Sequence, residues 1–261
     1  MLKRELGQWL LPNVLVLPIT EDSWRVPSSS SDDRFWHLKH LWNQDYRLMG
    51  TWRLTYMPAF ARDMGHRYVM QLDDDSFIMS PVGFNIVELF DKQSYLLAAR
   101  NIMKDVPTVT WGLPELTRFY LVANKIVPTR LFEHCKPHDL SGLYTKLSIA
   151  KGHEFPDEQT KDLNRLRLPK SGGWDMTILY GNCLMWSLDW WFKPEVNRFV
   201  QLCLASGGVV NYRWNEQAVI SMMWQVFVKK EQFLMFNFTY LHSKKSDAVK
   251  KVEASIVHPP G

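Results

Sequence analysis

Short apolar runs alternate with amphipathic segments along the chain, and this alternation constrains the fold more than any other feature of the sequence. The runs have the length and composition of buried strands. They are NVLVLPI (residues 13–19), RYVMQL (67–72), SYLLAAR (94–100), TILYGNCLMWS (177–187) and QFLMFNFTYLH (232–242). Because strands that alternate with helices are typical of sheets covered by helices, the sequence predicts an α/β domain with a mostly parallel central sheet.

Four segments between these runs have helical patterns. Apolar and aromatic residues recur at steps of three and four between Tyr46 and Met64, which predicts one helix with one buried face. The other predicted helices follow Pro114, cover PEVNRFVQLCLAS (194–206) ahead of a glycine pair, and begin at Asn215.

Two regions lack such patterns. Residues 133–173 are mixed and polar, and we predict a mobile excursion there. Residues 243–261 are rich in Lys and Ser and end in HPPG, which predicts a loosely held tail. The remaining chain, residues 1–242, is predicted to form a single domain.

The composition excludes several classes of protein. Of the 261 residues, 46% are hydrophobic and 12 are Trp, which is enough for a substantial core. The net charge of +4 suits an anionic ligand but is too small to predict nucleic-acid binding. No run approaches the roughly 20 apolar residues of a transmembrane helix. The three cysteines have no CxxC spacing, which argues against a disulfide scaffold and a zinc cluster.

Three adjacent aspartates, Asp73, Asp74 and Asp75, follow the strand-like run RYVMQL. Neighbouring carboxylates repel each other, so a ligand that neutralises them is expected. In open α/β sheets ligands bind at the carboxyl ends of strands. Strand alternation would place Asp73 and Asp75 on one side and Asp74 on the other, so this D-x-D pair is predicted to hold Mg²⁺ or Mn²⁺ with a diphosphate. A solvated acidic turn is the alternative interpretation.

Other side chains are candidates for the same site. Glu216 falls at a predicted helix start, where it could accept a bond from a ligand hydroxyl or be an ordinary first-turn acid. Arg213 and Trp214 could shape a ligand pocket, although Trp214 is equally expected in the core. Tyr46 and Arg53, on the helix before the aspartates, could reach a nucleotide or simply pack.

Four motifs occur in an order and spacing that together resemble a known family. They are LPITEDSWRVP (17–27), YRLMGTW (46–52), the aspartates at 73–75, and GGVVNYRWNEQA (207–218). Together they resemble the fungal-type glycolipid 2-α-mannosyltransferases, the Golgi α-1,2-mannosyltransferase family, from about Leu15 to His242.

The resemblance implies a GT-A glycosyltransferase that uses GDP-mannose and Mn²⁺ (or Mg²⁺) and retains the configuration of the transferred sugar. It implies that Asp73 and Asp75 hold the metal and the diphosphate, and that a late histidine completes the ligand set. His242 and His258 compete for that role, and His242 is preferred because it lies at the end of the last predicted strand. A glycan or glycoprotein acceptor and a location in the Golgi lumen are also implied.

Two departures from the family pattern affect the expected function. The family has an acid, a candidate nucleophile or charge stabiliser, where this chain has Leu184, and leucine can do neither. Asp175 and Glu216 are the candidate substitutes. The alternative is that the leaving group departs and the acceptor attacks on the same face of the donor sugar, without a covalent intermediate. The family's first strand–helix–strand unit would precede residue 1, so the nucleotide-binding half is expected to be incomplete at its N-terminus.

Three functions are therefore compared. The first is metal-dependent transfer of a hexose, expected to be mannose, to a glycan hydroxyl. The second is a catalytically impaired relative that binds a nucleotide or a carbohydrate, as the leucine at 184 would allow. The third is a metal-dependent phosphohydrolase that uses the same aspartates.

Overall fold

The computed structural model describes residues 19–105, 109–135 and 174–242. The predicted strand at 13–19, most of the segment 133–173, and the tail with His258 lie outside the described residues. Within the described ranges the helices are α1 (Gln44–Leu54), α2 (Tyr56–Asp63), α3 (Ile86–Gln93), α4 (Leu113–Asn124), α5 (Leu131–His134), α6 (Leu188–Trp191), α7 (Pro194–Ala205), α8 (Gly208–Asn211) and α9 (Asn215–Phe227), with short 3-10 turns at Glu21–Ser23, Ser28–Ser30, Asp33–Phe35 and Lys230–Gln232. The strands are β1 (Tyr68–Leu72), β2 (Ser76–Ile78), β3 (Leu97–Ala99), β4 (Ile102–Lys104), β5 (Thr177–Leu179), β6 (Cys183–Ser187), β7 (Phe233–Met235) and β8 (Tyr240–His242).

A four-stranded mixed sheet in the order β1-β6-β3-β7 forms the centre of the molecule. Strands β1, β3 and β7 run in one direction, and β6 runs against its two neighbours. Both faces are covered by apolar groups. Leu184 and Trp186 of β6 belong to the larger core on one face, and Cys183 and Met185 belong to a smaller core on the other. This arrangement confirms the predicted α/β class, because a sheet buried on both faces needs helices or loops on each side.

Two of the predicted strands are each divided into two. The run at 177–187 breaks at Gly181 and Asn182, and the run at 232–242 breaks after Met235. The strands detached by these breaks, β5 and β8, pair instead with β4 and β2, and both pairs are antiparallel. In the first pair Ser76 lies opposite His242, so the segment that follows the aspartates is joined to the last described strand by a backbone ladder.

The helix predicted over residues 46–64 is two helices. Thr55 separates α1 from α2, and its backbone leaves the regular helical conformation (φ −119°, ψ −74°). Pro58 explains the break, because its ring lacks an N–H and would clash with the carbonyl of residue 54 in a continuous helix.

Helix α9 is the central helix of the larger core. Twelve of its residues are buried, so it is covered on all sides rather than along one stripe. Helix α1 crosses its first turn at Gly50, where an added Cβ would lie 3.1 Å from the Cα of Asn215. This close backbone approach brings Arg53, one helical turn after Gly50, within reach of Glu216.

Candidate metal and nucleotide site

The three aspartates form a turn rather than a continuation of β1. The Asp73 N–H donates to the carbonyl of Asn182 (3.1 Å), and the Ser76 N–H donates back to the carbonyl of Asp73 (3.0 Å). The expected pairing of Asp73 with Asp75 is therefore produced by turn geometry and not by strand alternation. Asp74 is exposed and does not join them.

Asp73, Asp75 and His242 lie together at the end of β1. One ligand atom from each lies within 4.8 Å of the others. The His242 Nε2 is 3.1 Å from Asp75 Oδ1 and 3.8 Å from Asp73 Oδ2. The other ring nitrogen, Nδ1, is 3.3 Å from the Tyr180 hydroxyl, which therefore fixes the ring with Nε2 towards the carboxylates.

Arg53 joins this group to Glu216. One guanidinium nitrogen donates to Asp73 Oδ1 (2.7 Å) and the other to Glu216 Oε1 (2.8 Å). Burial raises the pKa of Asp73, and the neighbouring Arg53 opposes this rise without cancelling it. The sequence leaves open whether Arg53 reaches a nucleotide or simply packs, and in the structure both terminal nitrogens of its guanidinium are engaged by carboxylates.

Glu216 is buried beneath the aspartate turn, with 2% of its surface exposed. Its Oε1 also lies 3.4 Å from the Gln71 amide nitrogen, whereas its Oε2 is buried with no hydrogen-bond partner among the described residues. An added Cβ at Gly181 would lie 3.1 Å from Glu216 Oε1, so a larger residue at this position would press on the carboxylate. A buried carboxylate oxygen without a partner is costly and is typical of sites that receive a ligand.

Arg213 and Tyr46 lie near the same site: burial raises the pKa of Tyr180, and Tyr46, Asp73, Asp75 and Arg213 all contribute to its shift. The guanidinium of Arg213 donates to the Tyr46 hydroxyl (3.0 Å), lies 3.7 Å from Asp105, and stacks 4.2 Å above the Trp42 ring. Its backbone has φ 59°, a conformation that non-glycine residues rarely adopt. The residue with this strained backbone therefore carries a guanidinium that is held by three neighbouring side chains.

Trp214 is a core residue rather than a stacking platform. It is 3% exposed, and its indole N–H donates to the carbonyl of Trp111 (2.6 Å). A Cβ at Gly208 would lie 2.4 Å from its ring, so the indole packs directly on the glycine backbone.

Asp175 and Leu184 make their contacts elsewhere. Asp175 accepts from Lys104 (2.6 Å), and its contacts include none of the residues that surround Asp73. Leu184 is fully buried in the core, opposite Gln71 on β1. Of the two acids considered as substitutes at position 184, the structure brings Glu216 to the aspartate turn.

Tyr180 and Gln71 are polar contacts that sequence reasoning missed. Both were read as members of apolar strands. The Gly-Asn pair that follows Tyr180 is a turn signal, and it would have placed Tyr180 at a strand end near the aspartates.

No protein-family model matches the chain, and no sequence among the curated proteins matches it. Solved structures do match. Core-mannan synthase A from Aspergillus fumigatus, determined in a Mn/GDP form, has a TM-score of 0.64 at 14% identity over 86% of this chain. The chain has the fold of a fungal mannosyltransferase. The mannosyltransferase Ktr4p of S. cerevisiae gives the same TM-score of 0.64 at 15% identity over 87% of this chain, and a GDP complex of it matches equally well.

These matches establish the GT-A-like fold expected from the sequence. The chain spans a little over half the length of the structures it matches, 57% of the first and 54% of the second. Among the described residues no helix is both long and apolar enough to cross a membrane.

Proposed function

We propose that the protein is a metal-dependent glycosyltransferase that moves mannose from GDP-mannose to a glycan hydroxyl with retention of configuration. The observation that carries the proposal is the group of Asp73, Asp75 and His242, whose ligand atoms lie within 4.8 Å of one another. It is supported by the fold, which is shared with mannosyltransferases, one of them determined with Mn and GDP. From the sequence resemblance alone, we also propose the Golgi lumen as its location.

The donor set fits a divalent cation such as Mn²⁺. Two carboxylates and one imidazole provide oxygen and nitrogen ligands, which manganese accepts. Asp75 is exposed, while Asp73 and His242 are partly buried, so the group opens to solvent on one side. A metal held there supplies positive charge that stabilises a departing diphosphate.

The other charged residues have roles that follow from their positions. Tyr180 orients the imidazole of His242, and Arg213, fixed by Tyr46, offers a cation to the phosphates or to the sugar hydroxyls. In the reaction the bond from the sugar C1 to the diphosphate oxygen breaks and its electron pair leaves with GDP. The acceptor oxygen bonds to C1 while its proton passes to the departing diphosphate.

Glu216 is the candidate catalytic carboxylate. Its Oε2 is buried beside the aspartate turn with no hydrogen-bond partner among the described residues, and a carboxylate there would stabilise positive charge on the sugar. Asp175, the other predicted candidate, would need to leave its ion pair with Lys104 to take part.

The test is to incubate the purified protein with GDP-mannose, Mn²⁺ and a mannoside acceptor and to measure product and free GDP. We expect turnover that requires Mn²⁺ and is lost in Asp75→Asn. The matched control is Asp74→Asn in the same turn, since Asp74 does not join the ligand group. Absence of turnover together with absence of metal-dependent GDP binding would refute the proposal.

The second candidate is a domain that binds a nucleotide or a carbohydrate without turnover. The burial of Leu184 in the core favours it, because the acid of the family position is replaced by a packing residue. Calorimetric binding of GDP with no release of mannose would support this candidate, and robust transfer would exclude it.

A further inference from the structure

The guanidinium of Arg53 contacts two carboxylates at the candidate metal site, and its charge therefore affects metal affinity. The guanidinium binds one oxygen of each of two carboxylates, Asp73 Oδ1 and Glu216 Oε1. The second oxygen of Asp73 faces His242 at 3.8 Å and belongs to the ligand group. The guanidinium therefore contacts a candidate metal ligand through the oxygen that does not face His242.

Burial makes this charge effective. The Arg53 side chain is 16% exposed and that of Glu216 is 3% exposed, so solvent screens their charges poorly. A divalent cation at Asp73 is repelled by the positive charge of Arg53 and attracted by the negative charge of Glu216.

We infer that Arg53 is a positioning residue and a built-in counter-cation, which holds Asp73 and Glu216 in place and weakens binding of a divalent cation in the absence of the nucleotide. This inference rests on the proposed metal site. Without Arg53, the carboxylates would attract the metal even in the absence of a nucleotide. Because Arg53 neutralises them, strong metal binding requires the additional negative charge of a diphosphate. Metal and nucleotide therefore bind cooperatively.

The experiment measures Mn²⁺ binding to the full chain without nucleotide, by calorimetry or by the EPR signal of free Mn²⁺. Removing the cation in Arg53→Met is expected to tighten Mn²⁺ binding about tenfold, and removing the anion in Glu216→Gln to weaken it about tenfold. The double variant restores the local charge balance and is expected to bind as the wild type does. Arg53→Lys keeps the charge without the fork and is expected to bind Mn²⁺ as the wild type does.

Two controls separate charge from folding. Arg67→Met removes a cation from the exposed pair with Asp91 and should leave Mn²⁺ affinity unchanged. The double variant leaves no unpaired charge at Glu216, so it remains informative if Arg53→Met is poorly folded by circular dichroism.

A purely structural role for Arg53 predicts weaker or unchanged Mn²⁺ binding in Arg53→Met, and either result in folded protein overturns the inference. Unchanged binding in Glu216→Gln overturns it as well. If the wild-type protein binds no Mn²⁺ either with or without GDP, the proposed function and this inference both fail. If it binds Mn²⁺ but the variants follow another order, only the inference fails. Adding GDP should raise the Mn²⁺ affinity of the wild type, and this increase should be smaller in Arg53→Met.

Discussion

Asp73 and Asp175 each lie beside a histidine and a cationic side chain, but the charge around them differs. Asp175 accepts bonds from Lys104 (2.6 Å) and from the Thr177 N–H (2.9 Å), with His134 at 3.5 Å. Burial raises the pKa of Asp175, but the hydrogen bonds from Lys104 and Thr177 outweigh it and lower the pKa. This aspartate has its counter-charge within the protein.

Asp73 shares its cation. The guanidinium of Arg53 serves both Asp73 and Glu216, and Asp75 adds a further carboxylate on the side of His242. The pKa of Asp73 is raised, because burial outweighs the help from Arg53. The two regions teach that an aspartate beside a histidine is a ligand candidate when acids outnumber the cations in contact with them.

The difference between the two aspartates is tested most directly by neutralising each of them in turn. Asp73→Asn should lower Mn²⁺-dependent transfer more than about a hundredfold, above the range for outer-shell groups of metal sites. Asp175→Asn makes the same chemical change in the balanced cluster and should stay within about twofold. The measurement is initial rate at saturating Mn²⁺ and GDP-mannose. Equal losses in both variants would show that the charge balance does not distinguish the sites.

Glu216 tests whether the acid that shares Arg53 takes part in the reaction. Glu216→Gln keeps the shape of the side chain and should lower kcat about a hundredfold at saturating Mn²⁺, as expected for a group that acts in the transition state. The KM for GDP-mannose should change much less. A variant that changes KM alone would indicate a role in ground-state binding.

The Tyr180 hydroxyl, which contacts His242 Nδ1, allows a test of how the imidazole is oriented. Tyr180→Phe removes the bond to His242 Nδ1 and should weaken Mn²⁺ binding about tenfold, because the ring is no longer oriented. Tyr68→Phe, which removes a hydroxyl bonded to Asp91 on the surface, is the matched control. Isothermal titration with Mn²⁺ compares the two, and equal affinities would contradict the proposed orientation.

The smallest effect is expected for the ion pair of the balanced cluster. Lys104→Met removes the partner of Asp175, yet the Lys104 side chain is 59% exposed. Exposed pairs of this kind contribute at most about 1 kcal/mol, so the free energy of unfolding should fall by less than that. Urea denaturation gives this value, and activity should be unchanged. A large loss of transfer would place this cluster in the reaction.

Much of the fold could be predicted because the pattern of apolar residues is local. The strand before the aspartates and the helices at 113–124, 194–205 and 215–227 all follow from periodicity and helix signals. The break at Thr55 was foreseeable from Pro58, which the apolar spacing around it conceals. The pairing of short strands in separate sheets was not, since it depends on contacts distant in sequence.

The candidate site divides in the same way. Asp73, Asp75 and His242 could be proposed from strand ends and from the family resemblance, and the structure places them together. The link from Arg53 to Glu216 spans 163 residues and depends on the close approach of α1 to α9 at Gly50, which no local pattern encodes. Such tertiary contacts decide which acid is free and which is neutralised.

The pairing of β2 with β8 also bears on when the site can form during synthesis. Ser76 lies opposite His242, so the histidine is held beside the aspartates only after nearly all of the described chain has left the ribosome. Closing so long a loop is slow, because its entropy is lost before the contacts form. The nascent chain therefore exposes its acidic turn without the imidazole, and the full set of three candidate ligands assembles only after His242 has been synthesised.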